Sequence, residues 1–218
     1  MSLKNLFGGF RRSPKEKSAE PAAAQPEAET RWVVAGLGNP GEDYARSRHN
    51  AGFAVMERIA KSKHAQFDRR KFKGQIAEVE LAGMRALLVK PQTYYNGSGE
   101  CLAAVLGYYK VPTSRLIVVH DELDLVSGRL RLKQGGSDAG NRGVRSIEQS
   151  LGTSDFIRVR VGVSRPPGER ESKDYLLEGM SAEARADLET SIQRAAEAVE
   201  AIIGDGLDRA MQRFNQRV

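Results

Sequence analysis

Two polar segments in this sequence carry side chains that can move protons. His49 directly precedes a predicted helix and lies in a polar setting, not on an apolar stripe. Asp121 follows the apolar run at residues 116–119. A carboxylate that accepts the N–H of a histidine fixes its tautomer and leaves the second ring nitrogen to take a proton. The pattern predicts that Asp121 orients His49, which would then deprotonate a water molecule.

A divalent metal site made by Asp121, Glu122 and Asp124 is the alternative interpretation of the same acids. Adjacent residues of a strand or loop point in different directions, and no second carboxylate cluster completes a cage. The sequence therefore favours proton transfer, and we expect neither a metal nor a cofactor.

Asparagines and tyrosines in two loops form a second group of chemically useful side chains. Asn39 lies in the glycine-rich segment 36–41, and Asn96 follows Tyr94 and Tyr95. An amide can bind a peptide group or steady an oxyanion, and a tyrosine offers an apolar face with a polar end. The alternative for the second loop is a plain turn with a helix cap.

Segment 36–41 also matches the letters G-x-G-x-x-G, which raises the alternative of a nucleotide-dependent oxidoreductase. That fingerprint needs a helix starting within the motif, with its N-terminus facing a pyrophosphate. Residues 42–49 show no apolar helical face, and Pro40 disfavours the α region at Asn39. The sequence instead predicts a tight loop that presents Asn39 at the end of a strand.

Strands and helices alternate along the chain, which predicts an α/β fold in a single domain over residues 31–218. We expect a mixed, largely parallel twisted sheet with helices on both faces. The predicted strands are 32–37, 74–81, 84–89, 115–120, 130–133 and 156–163, and the predicted helices are 50–63, 98–109, 143–151 and 183–203.

Length and composition bound the remaining possibilities. The 218 residues suffice for one domain plus a tail, and residues 1–30 are basic and then Ala/Pro/Glu-rich, which predicts disorder. An organelle presequence is the alternative for this tail. No apolar run is long enough to span a membrane, and the single Cys101 cannot form an internal disulfide. We expect a cytoplasmic monomer that does not contact a membrane.

An excess of basic residues, 34 against 28 acidic ones, is compatible with a polyanionic partner. Arg131 and Lys133 share one side of a predicted strand, and Arg158 and Arg160 share one side of another. Such rows can grip phosphates. A third basic group, which has Phe67 and Phe72 interleaved, consists of Lys61, Lys63, Arg69, Arg70, Lys71 and Lys73. These three groups favour nucleic-acid contact over a merely solvated basic face.

Taken together and in order, five segments resemble the bacterial-type peptidyl-tRNA hydrolase family. They are G-L-G-N-P-G-x-x-Y-x-x-x-R-H-N-A-G at 36–52, K-P-x-T-Y-Y-N-x-S-G at 90–99, H-D-E-L-D-L at 120–125, R-L-K-x-G-G at 131–136 and F-x-R-x-R-x-G at 156–162. The resemblance implies hydrolysis of the ester that joins a peptide to the terminal adenosine of tRNA, with tRNA as the partner.

The resemblance also implies roles for individual residues. His49 falls on the catalytic histidine, Asp121 on the acid that orients it, and Asn39 and Asn96 on the amides that hold the peptide and the reacting carbonyl. Tyr44 falls on a site-lining aromatic residue.

The basic strands take their implied roles from the same resemblance. Lys133 and Arg160 fall on the residues associated with the tRNA 5′-phosphate, and we expect Arg131 and Arg158 to join them.

The glycine-rich loop at residues 134–143, which we expect to be mobile and to edge the site, departs from the family pattern. The family has G-H-N-G where this chain has Asn141 and Arg142 between two glycines. Asn141 can still donate and accept hydrogen bonds, whereas Arg142 can only donate. We expect both to contact substrate. The altered loop and the basic tail raise the alternative of a non-catalytic RNA-binding relative, which has no need to keep His49 and Asp121.

Overall fold

A computed structural model describes residues 31–166, 168 and 171–216 of the chain. The predicted disordered tail at residues 1–30 lies outside the described residues. The strands are β1 Trp32–Gly36, β2 Arg69–Lys71, β3 Gly74–Leu81, β4 Met84–Pro91, β5 Leu116–Glu122, β6 Leu130–Gln134 and β7 Ile157–Gly162. The α-helices are α1 Ala51–Ser62, α2 Ser98–Tyr109, α3 Arg142–Leu151, α4 Ser172–Leu177, α5 Ala182–Asp205 and α6 Leu207–Phe214.

One seven-stranded sheet organises the chain in the order β2-β3-β4-β1-β5-β7-β6. Strands β4, β1, β5 and β7 are parallel neighbours, and β2-β3, β3-β4 and β6-β7 pair antiparallel. The predicted α/β class, with a mixed and largely parallel sheet, is confirmed. The carboxyl ends of β1, β4 and β5 meet at one edge, and this edge carries the polar loops.

Both faces of the central strands are buried, and β1 and the first four residues of β5 are accordingly apolar. Val34 of β1 packs into a core with α1 and α5, while its neighbour Val33 packs into a second core with α2 and α3. Alternate side chains of a strand point to opposite faces, so one five-residue run serves both cores. No helix within the described residues is long and apolar enough to cross a membrane.

Among the strands and α-helices of the described residues, three are not revealed by the sequence patterns. They are the short edge strand β2 and the short helices α4 and α6. All three residues of β2 are charged and exposed, so the strand has no buried face to mark it. Helices α4 and α6 span six and eight residues, too few for a clear helical period.

Close packing of α1 against β1 depends on two glycines. A Cβ atom at Gly36 would collide with the carbonyl group of Gly52, and a Cβ atom at Gly52 would collide with the backbone of Leu37 and Val119. The contacts leave no room for a methyl group on either side. The start of α1, directly after His49, is therefore held against the ends of β1 and β5.

Substitution of Gly52 by alanine tests this packing. We expect Gly52→Ala to lower the free energy of unfolding by about 1–3 kcal/mol, because backbone atoms must move to admit the methyl group. Gly107 in α2 is the matched control, since a Cβ atom there meets nothing within 4 Å. Gly107→Ala should raise stability by about 0.5–1 kcal/mol through helix propensity. Equal effects of the two substitutions in urea unfolding would contradict the close approach.

Candidate active site

A cleft of about 680 Å³ opens where the carboxyl ends of β1, β4 and β5 meet. Its walls come from the loops that follow these three strands, from the start of α3 and from α4. The predicted residues Asn39, Tyr44, His49, Tyr94, Tyr95, Asn96, Asp121, Asn141 and Arg142 all line it. The structure thus brings together side chains that are up to about a hundred residues apart in sequence.

His49 and Asp121 form a directed pair inside this cleft. His49 Nδ1 lies 3.1 Å from both carboxylate oxygens of Asp121. The Asp121 side chain is 3% exposed and that of His49 is 18% exposed. The carboxylate accepts the Nδ1–H, which fixes the tautomer and leaves Nε2 with a lone pair. The two side chains lie together as the sequence predicts.

Tyr95 lies beneath this pair and contacts both members of it. Its hydroxyl donates to Asp121 Oδ1 at 2.6 Å, and its ring stacks on the His49 imidazole with centroids 3.6 Å apart and an interplanar angle of 17°. Burial and the Asp121 charge raise the pKa of Tyr95 well above its ordinary value. The hydroxyl is therefore committed inside the protein, and the predicted substrate contact of its polar end does not fit this geometry.

Asn39 is held in place by Asn50 in the short 3₁₀ turn before α1. Asn50 Oδ1 accepts from the Asn39 N–H at 2.8 Å, and Asn50 Nδ2 donates to the Asn39 carbonyl at 2.9 Å. Asn39 Oδ1 accepts from the Tyr95 N–H at 2.8 Å, which sets the orientation of its amide. Among the described residues, Asn39 Nδ2 has no acceptor, so this N–H is available to a ligand in the cleft. Asn50 directly precedes α1, but its side chain is used in this clamp and makes no capping bond to the helix.

Asn141 caps α3 and also reaches the centre of the site. Its Oδ1 accepts from the Val144 N–H at 3.0 Å, and its Nδ2 donates to the Tyr95 hydroxyl at 3.0 Å. His120 lies behind it, with Nδ1 2.7 Å from the Asp121 carbonyl oxygen, a contact that requires His120 to donate. Burial lowers the pKa of His120, which favours its neutral form.

Four further predicted residues form the accessible wall of the cleft. Tyr94 is 68% exposed, and Asn96 and Arg142 are also exposed, whereas Tyr44 is half-buried. Arg142 is the first residue of α3, so its guanidinium projects from the helix end that also carries Asn141. These side chains are placed to contact a bound molecule without moving the buried residues.

Each of the three acids in the alternative metal site, Asp121, Glu122 and Asp124, has its own side-chain partner. Glu122 accepts from Arg160 Nη2 at 2.6 Å and Nε at 2.8 Å, and Asp124 accepts from Arg165 Nε at 2.7 Å. Asp121 is directed to His49. Within the described residues, no three His, Cys, Asp or Glu side chains converge on one point.

The basic strands β6 and β7 pair in register, with Arg131 opposite Arg160 and Lys133 opposite Arg158. Arg131 is exposed, and Lys133 is half-buried, with its pKa lowered by desolvation and by Arg158. The predicted tRNA contact of Arg158 is wrong in this geometry, because the side chain is buried and its guanidinium is used internally. Arg158 pairs with Glu148 and donates to two carbonyls of the glycine-rich loop, at residues 136 and 137.

The glycine-rich loop borders the cleft and is held by hydrogen bonds from Arg158 of β7 and Arg145 of α3. Besides the bonds from Arg158, Asp138 accepts from Arg145 Nε at 2.8 Å and from the Gly140 N–H at 2.7 Å. These donors lower the pKa of Asp138. The mobility expected of this loop stays a prediction.

Helix α4 supplies cleft residues that the sequence does not indicate. Ser172, Leu176 and Leu177 line the cleft opposite the asparagine loops. The helix is held by Arg48, whose Nη1 donates to the Tyr175 carbonyl at 3.2 Å and whose guanidinium lies 4.1 Å from the Tyr175 ring centroid. Arg48 directly precedes His49, but no pattern in the sequence indicates its contact with a residue so far along the chain.

The dinucleotide alternative fails on local geometry. Gly41 has φ 110°, and only two short 3₁₀ turns, Glu42–Tyr44 and Arg48–Asn50, lie between it and the first α-helix. The helix that a pyrophosphate would need begins ten residues after Gly41, at Ala51. The segment is a tight loop that presents Asn39, as the sequence predicts.

The fold and the cleft define an α/β protein of the hydrolase type, in which a His–Asp pair faces amide donors beside a basic sheet edge. Comparison with known proteins agrees. The profile of the peptidyl-tRNA hydrolase family matches residues 33–218. A peptidyl-tRNA hydrolase from Frankia casuarinae is 46% identical over 190 residues, which cover 87% of this chain and 96% of the relative.

Other relatives give the same result at similar coverage. A peptidyl-tRNA hydrolase from Chloroflexus aggregans is 44% identical over 84% of this chain and 98% of its own length. The crystal structure of peptidyl-tRNA hydrolase from Acinetobacter baumannii has a TM-score of 0.80 at 29% identity, covering 86% of this chain and 95% of that one. This chain belongs to the peptidyl-tRNA hydrolase family. The comparisons favour the catalytic interpretation over the non-catalytic RNA-binding relative.

Replacement of Asn50 by aspartate tests the clamp on the Asn39 loop. Asn50→Asp substitutes a carboxylate oxygen for the Nδ2 donor and places it against the Asn39 carbonyl. We expect a loss of about 1–3 kcal/mol in the free energy of unfolding, because a buried acceptor loses its donor.

Asn215→Asp is the matched comparator for this prediction. Asn215 clamps the Leu132 N–H and carbonyl with the same pair of bonds, at 2.7 and 3.0 Å. Denaturant unfolding should show losses of similar size for both variants. An Asn50→Asp protein as stable as the parent would mean that the clamp contributes nothing.

Proposed function

We propose that this protein hydrolyses the ester bond of peptidyl-tRNA and releases the peptide and free tRNA for reuse in translation. The observation that carries the proposal is the His49–Asp121 pair, which faces the available Asn39 amide across the cleft. The family relatives named above share this activity by name. The basic edge formed by β6 and β7 supplies the complementary charge for a nucleic-acid substrate.

His49 acts as the general base. Its Nδ1–H is held by Asp121, so the lone pair of Nε2 takes a proton from a water molecule in the cleft. The hydroxide so formed attacks the ester carbonyl, and a C–O bond forms while the carbonyl electron pair moves to the oxygen. Collapse of this tetrahedral intermediate breaks the bond to the ribose oxygen, which receives its proton from the imidazolium.

Asparagine amides stabilise the developing oxyanion. The Tyr95 N–H donates to Asn39 Oδ1 and so fixes the orientation of the Asn39 amide. Asn39 Nδ2 makes no bond to the described residues, so it can donate to the carbonyl oxygen without rearrangement. Asn96, exposed on the opposite loop, donates to the peptide or to the same oxygen. An activated ester needs only a base, a water and such donors, so the proposal invokes no metal or cofactor.

The accessible wall of the cleft binds the rest of the substrate. Tyr44 and Tyr94 offer rings against which a peptide or the terminal adenine can pack. Arg142 offers a cation to the phosphate that precedes the terminal adenosine. The family position of Asn141 suggests a direct substrate contact. In this proposal Asn141 acts indirectly instead, because its amide holds the Tyr95 hydroxyl and caps α3.

The tRNA stem lies along the basic strands in this proposal. Arg131, exposed on β6, and Lys133 beside it make the phosphate contacts. Arg160 contributes in part, because its guanidinium is shared with Glu122. We further infer that the protein works as a monomer in the cytoplasm, where peptidyl-tRNA is formed.

Loss of the proposed base should abolish most of the activity. We expect His49→Ala to lower kcat by roughly 10²–10⁴-fold, the usual range for a missing general base. Asp121→Asn should cause a loss of similar order, because the imidazole then adopts the wrong tautomer. The measurement is release of peptide from purified peptidyl-tRNA.

The exposed His64 provides the control for this experiment. His64→Ala removes a histidine that lies outside the cleft and should retain parental turnover. Full activity in His49→Ala would rule out the base mechanism, and no activity in the unaltered protein would favour the RNA-binding relative.

Salt dependence tests the basic strands. We expect tRNA affinity to fall steeply with salt, and Lys133→Ala or Arg131→Gln to make the slope of log K against log[salt] shallower by about one per contact removed. Arg158→Gln should instead lower the free energy of unfolding, because Glu148 is left without its buried partner. Unchanged slopes for Arg131 and Lys133 would remove both residues from the tRNA surface.

A further inference from the structure

The hydrogen bonds that surround Asp121 have a fixed direction, and the cap of α3 sets it. Asn141 Oδ1 accepts from the Val144 N–H, so the amide must turn Nδ2 toward the Tyr95 oxygen. The hydroxyl oxygen of Tyr95 is an acceptor in that contact, and its hydrogen points to Asp121 Oδ1. Asp121 thus receives a tyrosine O–H and the His49 Nδ1–H.

The Tyr95 hydroxyl is a donor throughout the working pH range. The side chain is 4% exposed and faces the Asp121 carboxylate, and both facts raise its pKa well above the ordinary value. A hydroxyl that stays protonated and is committed to Asp121 does not serve as the base of the reaction. It can only distribute the charge of its neighbour.

We propose that Tyr95 is a positioning residue that holds the His49–Asp121 pair in its working geometry and limits how strongly Asp121 stabilises protonated His49. This inference rests on the function proposed above, in which neutral His49 is the base. It assigns Tyr95 a role in the reaction itself instead of a contact with substrate.

The hydroxyl acts by sharing the carboxylate charge. A carboxylate that accepts a short bond from a neutral O–H carries less negative charge toward its second partner. The imidazolium of His49 is stabilised by that charge, and the imidazolium cannot accept a proton from water. Removal of the hydroxyl should therefore extend the pH range over which His49 is protonated and inactive.

The Tyr95 ring makes a second, separate contribution. Its face lies against the imidazole at a centroid distance of 3.6 Å and prevents His49 from swinging out of line with Asp121. The Tyr95 backbone N–H at the same time orients Asn39. One buried residue thereby contacts the base, its orienting acid and the oxyanion donor.

Other titratable and charged groups also face the pair. Those that share the cleft are Tyr44, Tyr94, Glu122, Asp124, Arg142 and Arg165, and His120 lies directly behind Asp121 on β5. Glu122 and Asp124 are paired with arginines, and His120 is held neutral by burial. These groups are unaltered by a change at Tyr95, so a shift in the pH profile reports on the hydroxyl.

The test is the pH dependence of kcat/KM for Tyr95→Phe, with the substitution made in the full chain. This variant keeps the ring and its stacking and removes only the hydroxyl. We expect the acid limb of the profile to move upward by about 0.5–1 pH unit, with a plateau within a few-fold of the parent. At a pH below both limbs, activity should therefore fall by roughly 3–10-fold.

Two companion variants separate hydroxyl, ring and background. Tyr95→Leu removes the stacking as well, and should combine the same shift of the limb with a lower plateau. Tyr108→Phe removes a tyrosine hydroxyl at a residue that is 60% exposed and outside the cleft, and should leave the limb in place. Circular dichroism and thermal unfolding check that each variant is folded.

The outcomes distinguish this inference from the proposed function. An upward shift in Tyr95→Phe, absent in Tyr108→Phe, supports the positioning role. If the acid limb of Tyr95→Phe does not move, the positioning role is overturned, whether the rate is unchanged or falls by the same factor at every pH. An inactive His49→Ala would in that case still support the base mechanism. An active His49→Ala would overturn the function itself, independently of Tyr95.

Discussion

The buried carboxylate of Asp121 is the constraint on which the site depends. A carboxylate that is 3% exposed is costly unless several donors compensate it. The fold provides these donors from separate segments, since His49 follows β1 and Tyr95 follows β4. Because β5 lies beside β1 in the sheet, and β4 lies on the other side of β1, the three loops reach one point. The cost of burying one charge thus fixes the relative positions of the residues that carry the chemistry.

Near this charge and at the sheet edge, asparagine side chains hydrogen-bond mainly to backbone groups. Asn50 clamps the Asn39 loop through both groups of its amide, and Asn215 clamps β6 in the same way at the far edge of the sheet. Each clamp fixes the backbone of the residue that it holds, and the Tyr95 N–H then orients the Asn39 amide. Asn39 consequently reaches the cleft with its Nδ2 already directed, which is the preorganisation that an oxyanion donor requires.

Much of this arrangement was predictable from the sequence, for identifiable reasons. The apolar runs of β1, β4 and β5 are buried on both faces, so their pattern is unambiguous, and polar residues that end such strands had to meet at one edge. The pairing of His49 with Asp121 followed from that geometry. The interior use of Arg158 did not, because an arginine at period two looks the same whether it faces solvent or Glu148. Tyr95 was predicted to contact substrate for a similar reason, since a sequence does not say where a hydroxyl points.

The capping role of Asn141 at the start of α3 also determines where the proton of the Tyr95 hydroxyl points. The residue just before α3 must offer an oxygen to the third amide beyond it, and that obligation turns the nitrogen of the same side chain toward Tyr95. An insertion or deletion among the glycines upstream would leave this relation intact, because neither the cap bond nor the contact with Tyr95 involves a residue of 134–140. A shift of the helix start by one position could not be absorbed, because another side chain would then face the tyrosine. Insertions and deletions among natural variants should accordingly occur before Asn141 and not between Asn141 and the first turn of α3.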